Sequence, residues 1–320
     1  MSASLTVIET AQNLPAVLGP DLRAAVDLAK AEKAASTRKA YGTDFRLFKE
    51  WCDDKGVSSL PASPETVAAF LASESKTAKP STLGRRIAAI RYAHKLAHLE
   101  TPTDSEAVKA TLRGIRRTVG AAKVRKAPAV AAKVRAMVAL APDRLAGLRD
   151  RALLLLGFAG AFRRSELVAL DVADIAETET GLLVSIRRSK TDQEGEGVTI
   201  AIAGGDVACP TRALREWLDA AGIETGPIFR AINKAGRVAA ERLTDRSVAN
   251  IVKAYAERAG FDASTFSGHS LRSGFLTSAA AKGASIFKMM DVSRHKSVDT
   301  LRGYVRDAEL FKDHAGAGLL

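Results

Sequence analysis

The sequence has few cysteines and no long apolar run. Only Cys52 and Cys209 occur among 320 residues, too few for a disulfide framework or a cysteine-rich zinc site. The longest uninterrupted apolar stretch, 152–162, has 11 residues, whereas a membrane-spanning helix needs about 20. The first residues show no basic segment followed by an apolar one, so no signal peptide is expected. These absences predict a cytoplasmic protein without a membrane partner.

The composition is that of an ordinary globular protein. Apolar residues make up 47% of the chain and charged residues 26%. This is enough apolar material for real hydrophobic cores, and it excludes disorder as the dominant state. A length of 320 residues suggests about two domains.

Positive charge exceeds negative charge along the chain. Lys and Arg number 48 against 36 Asp and Glu, a formal net charge of +12, which predicts a polyanionic partner such as nucleic acid. Residues 107–142 contain no acidic residue. The basic residues there are Lys109, Arg113, Arg116, Arg117, Lys123, Arg125, Lys126, Lys133 and Arg135. A solvated helix face followed by a basic linker would also explain them, although such faces usually mix both signs.

The first half of the chain shows helical periodicity. Residues 1–20 have no firm pattern and are expected to form a loose tail, whereas 21–118 predict at least four amphipathic helices packed together. Ser63, Ser81 and Ser105 are the predicted N-caps of three of them. Residues 119–130 combine Gly, Pro and basic residues without periodicity, and we interpret them as a linker between domains.

The second half is expected to form one domain over 131–305. Helices are predicted over 145–157, 163–170, 211–221, 245–259, 270–282, 285–293 and 297–303. Two β-rich segments, 182–188 and 198–203, predict a hairpin around a polar turn. The predicted fold class is therefore mostly α with a small antiparallel sheet. Residues 306–320 form a C-terminal tail that is either frayed or a contact with a neighbouring copy.

Several polar residues of the second half could carry chemistry. They are Arg163, Lys190, His269, Arg272, His295 and Tyr304. Glu166 follows Arg163 at the spacing of a helical ion pair, and His269 and Arg272 are spaced to share one face at a helix start. Taken singly, each has an ordinary explanation: a surface arginine, a solubilising lysine at a hairpin tip, a structural histidine or a stacked tyrosine.

The combination has a chemical meaning that the single residues lack. Two Arg, a Lys and two His are the donors that can neutralise a pentacoordinate phosphate. A phenol has a pKa of about 10 and needs cationic neighbours to act as a nucleophile at neutral pH. Tyr304 lies between Arg302 and Arg306. No acidic metal cluster is apparent, which disfavours a metal-dependent nuclease.

In their order and spacing, these residues resemble the tyrosine recombinases, also called phage-type integrases, and in particular the two-domain XerC/XerD-like members. The segment AFRRSELVALDVADI is similar to the family's first motif and places Arg163, not Arg164, at the motif arginine. GHSLRSGF is similar to the His-x-x-Arg box, and His295 precedes Tyr304 by the family's nine residues. STRKAYGTDFRLFKEWC resembles the start of the family's core-binding domain.

Three departures from the family pattern lie beside these motifs. Gly268 stands where Pro or Thr is commoner, Ser273 where His is common, and Arg294 where many members have Gly. None of them removes a group that the resemblance makes catalytic.

The resemblance implies a SAM-like core-binding domain over 21–118 and a catalytic domain over 131–305. It implies that Tyr304 attacks a phosphodiester to form a 3′-phosphotyrosine. Arg163 and Arg272 bind the phosphate, Lys190 is the general acid, His269 and His295 assist, and Glu166 orients Arg163. No metal or cofactor is implied, because one phosphodiester becomes an ester of similar energy.

The implied partner is double-stranded DNA with a specific recombination site, held between the two domains. The residues expected to contact it are Lys109, Arg113, Arg116, Arg117, Lys123, Arg125 and Lys126. The resemblance also implies a tetramer on two duplexes, strand exchange through a Holliday junction at the nucleoid, and a possible second recombinase or DNA-bending protein. The outcome would be integration, excision or resolution of a mobile element or replicon dimer. Two alternatives stay open: a type IB topoisomerase, and a catalytically silent architectural protein.

Overall fold

The computed structural model describes residues 19–120, 126–187 and 197–308. The chain divides into two compact units, Met1–Val124 and Arg125–Leu320. Across the described ranges, no helix combines the length and the apolar character needed to cross a bilayer.

The described part of the first unit is helical. Its elements are α1 (Gly19–Ala31), α2 (Ala35–Lys55), α3 (Pro64–Glu74), α4 (Pro80–Leu96), a 3-10 turn (Pro102–Asp104) and α5 (Glu106–Val119). Phe48, Phe70, Leu83 and Ile90 are fully buried in its core. These residues recur at helical spacing within their segments, so apolar periodicity alone accounts for this packing.

Serine caps begin two of these helices as predicted. Ser63 and Ser105 each accept a hydrogen bond from the main-chain N–H three residues on, at 3.2 Å and 3.4 Å. The prediction for Ser81 was wrong, because α4 begins at Pro80 with Lys79 at the N-cap and no side-chain cap. Proline fixes φ at a helical value and needs no N–H at the first helical position, so the helix starts there.

The described part of the second unit combines helices with two small sheets. The helices are α6 (Ala131–Ala139), α7 (Leu145–Ala159), α8 (Arg164–Ala169), α9 (Pro210–Ala221), α10 (Asp245–Arg258), α11 (Ser270–Ala281), α12 (Ile286–Ser293) and α13 (Val298–Ala308). The antiparallel sheet β1 (Ile175–Thr178), β2 (Gly181–Ile186), β3 (Val198–Ala203) lies apart from the antiparallel pair β4 (Arg230–Ile232), β5 (Val238–Arg242). The predicted fold class is confirmed.

The predicted hairpin is present as β2 and β3, with Leu183 opposite Ala201. Its turn, including Lys190, lies outside the described residues. Strand β1 and the pair β4–β5 were not predicted. They have three to five residues each and almost no buried positions, so they lack the alternation of apolar and polar residues that identifies a strand.

Helix α7 crosses the core of the second unit. Leu153, Leu154 and Leu156 are fully buried, and Trp217 of α9 and Leu271 of α11 belong to the same core. The apolar stretch that is too short for a membrane is therefore a buried helix, as predicted. Its C-terminal end leads directly to Arg163, so packing of the core fixes the backbone position of that residue.

Residues 126–130, which the sequence assigns to the linker, pack on the second unit. The N–H groups of Ala127 and Ala129 donate to the carbonyl oxygens of Thr265 (2.8 Å) and Ser270 (2.9 Å). Ala129 is fully buried against α11. A Cβ at Gly274 would lie 1.9 Å from the Ala129 carbonyl oxygen, so only glycine fits where the two backbones meet.

We expect Gly274→Ala to destabilise the second unit by about 1–3 kcal/mol, because neither backbone can yield to the added methyl group. Urea unfolding followed by circular dichroism measures the change. Gly42→Ala in α2 is the matched control, since a Cβ there meets nothing within 4 Å. The control should gain about 0.4–1 kcal/mol. A Gly274→Ala protein as stable as the parent would contradict the close approach.

Candidate active site

A tight turn after α7 places Arg163 at the N-cap of α8. Ala161 in this turn has φ 45°, in the left-handed region that favours glycine. The Glu166 carboxylate accepts a hydrogen bond from the Arg163 main-chain N–H at 2.9 Å through Oε2. It accepts a second from the Arg163 guanidinium Nη1 at 2.5 Å through Oε1. The predicted pair therefore forms, with one carboxylate both capping the helix and holding the arginine.

Glu166 is buried and ionised. Burial raises the pKa of its carboxyl group, but the charge of Arg294 and the hydrogen bonds and charge of Arg163 outweigh burial. The net result is a pKa below the ordinary value for glutamate. A stable negative charge therefore lies behind Arg163.

Arg272 links the start of α11 to the Arg163 turn. Its side chain is buried, with Nη1 donating to the Ala161 carbonyl oxygen at 2.6 Å. Nη2 lies 3.3 Å from both ring nitrogens of His295. Burial, with the charges of Arg163 and Arg294, lowers the Arg272 pKa to about 9, so the guanidinium stays protonated at neutral pH.

His295 is held by Ser293. The Ser293 hydroxyl donates to the Met289 carbonyl oxygen at 2.6 Å and lies 2.8 Å from His295 Nδ1. Since the hydroxyl proton is already used, Nδ1 must donate, which leaves Nε2 as the acceptor of the neutral ring. Burial and the charge of Arg272 lower the His295 pKa to about 4, so the ring is neutral at neutral pH.

His269 occupies the N-cap of α11. Part of its surface is exposed, yet the surrounding protein removes enough water to lower the His269 pKa. The charges of Arg272 and Arg163 act in the same direction. Both histidines therefore enter the site as neutral rings with hydrogen-bonding nitrogens.

Tyr304 lies on α13 and is half-buried against Leu276, Met289 and Leu301. This cluster packs α13 against α11, the helix that carries Arg272. The structure therefore brings together Arg163, His269, Arg272 and His295, and it places Tyr304 on the neighbouring helix. Lys190 lies outside the described residues.

Arg164 faces away from the Glu166 carboxylate. Its guanidinium pairs with Asp245 at 3.7 Å, and its stem lies over Gly268, where a Cβ would be 1.9 Å from Arg164 Cδ. The departure at Gly268 thus makes room for Arg164. The departure at Ser273 is also accommodated locally, because its buried hydroxyl donates to the Ser270 carbonyl oxygen of the same helix at 3.1 Å.

Sequence reasoning missed three parts of this site. Ser293 gave no motif, although a serine two residues before a histidine could have suggested a ring partner. Arg294 was noted only as a departure, yet it reaches Glu166 at 2.8 Å. The carbonyl oxygen of Ala161 accepts from Arg272 through the main chain, so no side-chain pattern could reveal it.

The depressed His295 pKa predicts a loss of stability in mild acid. The folded-state value of about 4 lies below the ordinary 6.5, so the unfolded chain binds a proton first as the pH falls. The contribution of the neutral His295 ring to the free energy of unfolding is complete above pH 6.5 and is lost progressively between pH 6.5 and about 4. Urea midpoints from pH 8 to 4 should therefore decline less steeply in His295→Asn. Equal slopes in the two proteins would contradict a neutral, buried ring.

The chain matches the model of the phage integrase family over residues 131–310, and the phage integrase N-terminal SAM-like domain over 27–101. It is 42% identical over 289 residues to an integrase/recombinase xerD homolog of Selenomonas ruminantium, which covers 88% of this chain and 85% of the relative.

Two solved structures share the fold. One is a lambda integrase dimer bound to a core site, with a TM-score of 0.61, 19% identity and coverage of 89% of this chain and 93% of that one. The other is a lambda integrase tetramer bound to a Holliday junction, with a TM-score of 0.61, 18% identity and coverage of 95% and 81%. Together with the family match, these findings identify the chain as a member of the phage integrase family and a tyrosine-type DNA recombinase.

Proposed function

We propose that this recombinase cuts and rejoins DNA at a specific site through a 3′-phosphotyrosine on Tyr304. The observation that carries the proposal is the position of Arg272. Its guanidinium contacts the carbonyl oxygen of the Arg163 turn and the ring of His295, and its helix packs against the helix of Tyr304. Three segments that are far apart in the sequence therefore meet around one guanidinium.

The proposed reaction exchanges one ester for another. The Tyr304 oxygen bonds to phosphorus as the phenol proton passes to the neutral ring of His269 and the bond from phosphorus to the 5′ oxygen breaks. Lys190, in the role that the family resemblance gives it, donates the proton that the 5′ oxygen takes up. The 5′ hydroxyl of a second duplex then reverses the step and exchanges strands. Neither ATP nor a metal ion enters this balance.

The arginines supply the electrostatic part of catalysis. Arg163 and Arg272 can bind the non-bridging oxygens through forked, charge-assisted hydrogen bonds, where negative charge grows in the transition state. A pKa of about 4 makes His295 a poor base at neutral pH, so we assign it the orientation of Arg272. His269, which is partly exposed at the N-cap of α11, assists from the edge of the active site.

Helix α5 supplies a basic face for the DNA backbone. Val108 and Ile115 form the buried face of α5, and the opposite face is exposed to solvent. The exposed basic residues are Lys109, Arg113, Arg116 and Arg117. Lys126 donates to the Ser264 carbonyl oxygen at 2.7 Å, while Lys123 and Arg125 lie outside the described residues. We propose that this set positions the duplex through phosphate contacts.

We assign core binding to residues 21–118, the connection to 119–130 and catalysis to 131–305. The lambda integrase tetramer on a Holliday junction supports a tetramer of this chain on two duplexes. We propose that it acts in the cytoplasm, at the nucleoid. The tail 306–320 is the segment we propose for contacts between protomers. A second recombinase or a DNA-bending protein is a further candidate partner. The recombinase match disfavours both the topoisomerase and the silent architectural protein.

A covalent-trapping assay tests the nucleophile. The protein is incubated in EDTA with nicked suicide duplexes from its genomic neighbourhood and resolved on a denaturing gel. We expect a protein–DNA adduct with the native chain and none with Tyr304→Phe, since the variant has no oxygen to attack phosphorus. DNA binding should be unchanged, because only the hydroxyl is removed. An adduct that persists in Tyr304→Phe would assign the nucleophile elsewhere.

The α5 face should determine how binding depends on salt. Replacing Arg116 and Arg117 with Gln should flatten the plot of log affinity against log salt by up to about two units, about 0.9 per lost phosphate contact. Lys49→Gln is the control, because its charge is already paired with Asp53 at 2.7 Å. Fluorescence anisotropy from 50 to 200 mM salt gives both slopes. Equal slopes for the double variant and the control would remove α5 from the DNA contact.

A further inference from the structure

Arg294 has a backbone conformation that normally belongs to glycine. It ends α12 with φ 58° and ψ 38°, in the left-handed region where a Cβ is sterically disfavoured. Glycine is what many family members have at this position. An arginine in a strained position persists only when its surroundings hold it there, so the side-chain contacts of Arg294 should explain its presence.

The guanidinium of Arg294 turns into the protein. Only 6% of the side chain is exposed. Nη2 donates to Glu166 Oε2 at 2.8 Å and to the Ala161 carbonyl oxygen at 3.1 Å, and Nη1 donates to the Gly160 carbonyl oxygen at 3.1 Å. The guanidinium carbon lies 5.2 Å from the centre of the Phe162 ring. These partners belong to the turn that presents Arg163 and to the helix that follows it, and one further hydrogen bond runs from Nη1 to the nearby Val292 carbonyl oxygen at 2.5 Å.

Both acceptors of Nη2 also serve the arginines that we assign to the phosphate. Glu166 Oε1 accepts from Arg163 Nη1 at 2.5 Å, and the Ala161 carbonyl oxygen accepts from Arg272 Nη1 at 2.6 Å. Arg294 thus takes the acceptor position left on Glu166 Oε2, which also accepts from the Arg163 main-chain N–H at 2.9 Å. Without Arg294, this oxygen would be open to a guanidinium N–H, and the two carboxylate oxygens would attract the fork of Arg163 into a bidentate pair. That pair would use the donors that Arg163 needs for a phosphate.

We propose that Arg294 is a positioning residue for DNA cleavage. By taking Oε2 of Glu166 and sharing the Ala161 carbonyl oxygen, it keeps the remaining donors of Arg163 and Arg272 directed at the scissile phosphate. It does not itself contact the phosphate. Because it directly precedes His295, the same contacts fix the start of the segment that leads to Tyr304. The inference rests on the proposed roles of Arg163, Arg272 and Tyr304.

Arg294→Gly separates the backbone role of this position from its side-chain role. Glycine relieves the backbone strain, which offsets part of the cost of losing the buried ion pair, so the variant should fold while the guanidinium is lost. We expect the single-turnover rate of adduct formation on a trapped suicide duplex to fall by about 10- to 100-fold. The affinity for the same duplex should change less than about twofold. Arg294→Lys keeps the charge with fewer donors, and its cleavage rate should lie between those of the native chain and Arg294→Gly.

A second replacement distinguishes positioning from simple structural support. If Arg294 acts through the Glu166 carboxylate, its loss should matter less once that carboxylate is gone. Arg294→Gly should therefore slow cleavage less in a Glu166→Gln background than in the native chain, so that the two losses are less than additive. Independent structural roles predict an additive loss. Wild-type cleavage by Arg294→Gly, or an additive loss in the double variant, would overturn the proposal.

Binding of inorganic phosphate provides a measurement that needs no DNA site. Phosphate is titrated into the full-length protein while the ring signals of His269 and His295 are followed by NMR. We expect Arg294→Gly to bind it several-fold more weakly than the native chain. Equal binding would overturn the role of Arg294. Native protein that binds phosphate but forms no adduct on any duplex would count against the proposed function instead, and a native site that ignores phosphate would count against both.

Discussion

The active site depends on one buried negative charge. The guanidinium groups of Arg163 and Arg294 converge on Glu166. Arg272 lies near them, and the charges of Arg163 and Arg294 both lower its pKa. Without the carboxylate, these cations would repel one another in a place that water scarcely reaches. One carboxylate does not balance three guanidinium groups. Burial lowers the pKa values of Arg272 and His295 most, and the neighbouring positive charges lower them further. A DNA phosphate supplies the charge that is missing.

The fold delivers the parts of the site to one place through its core. Helix α7 is anchored by fully buried leucines and ends at the turn before Arg163. Helix α11 starts where residues 126–130 bind its first turn, so Arg272 begins from a fixed position. Helices α12 and α13 then bring His295 and Tyr304 back over α11 through the small cluster around Leu276 and Met289. Arg163, Arg272 and His295 are therefore placed by apolar packing and held by polar contacts.

Sequence patterns predicted the parts of this structure that depend on side-chain chemistry. The helices of the first unit follow from apolar spacing, α7 from one apolar stretch, and the pairing of Arg163 with Glu166 from their separation. Strands β1, β4 and β5 could not be found, because their exposure removes the alternation that a pattern needs. The role of Arg294 was hidden for another reason. Its contacts with Glu166, Gly160 and Ala161 span more than a hundred residues, and two of them are to main-chain oxygens.

The carbonyl oxygens of Gly160 and Ala161 have an evolutionary consequence. Every residue type carries the same acceptor, so selection on these two positions acts on backbone shape and available space, not on functional groups. A Cβ at position 160 would collide with the Phe162 ring, and position 161 needs a positive φ. Homologues could therefore drift at position 161 among residues that tolerate this conformation and still hold the same two arginines. A search for shared side chains would pass over the contact that orients both.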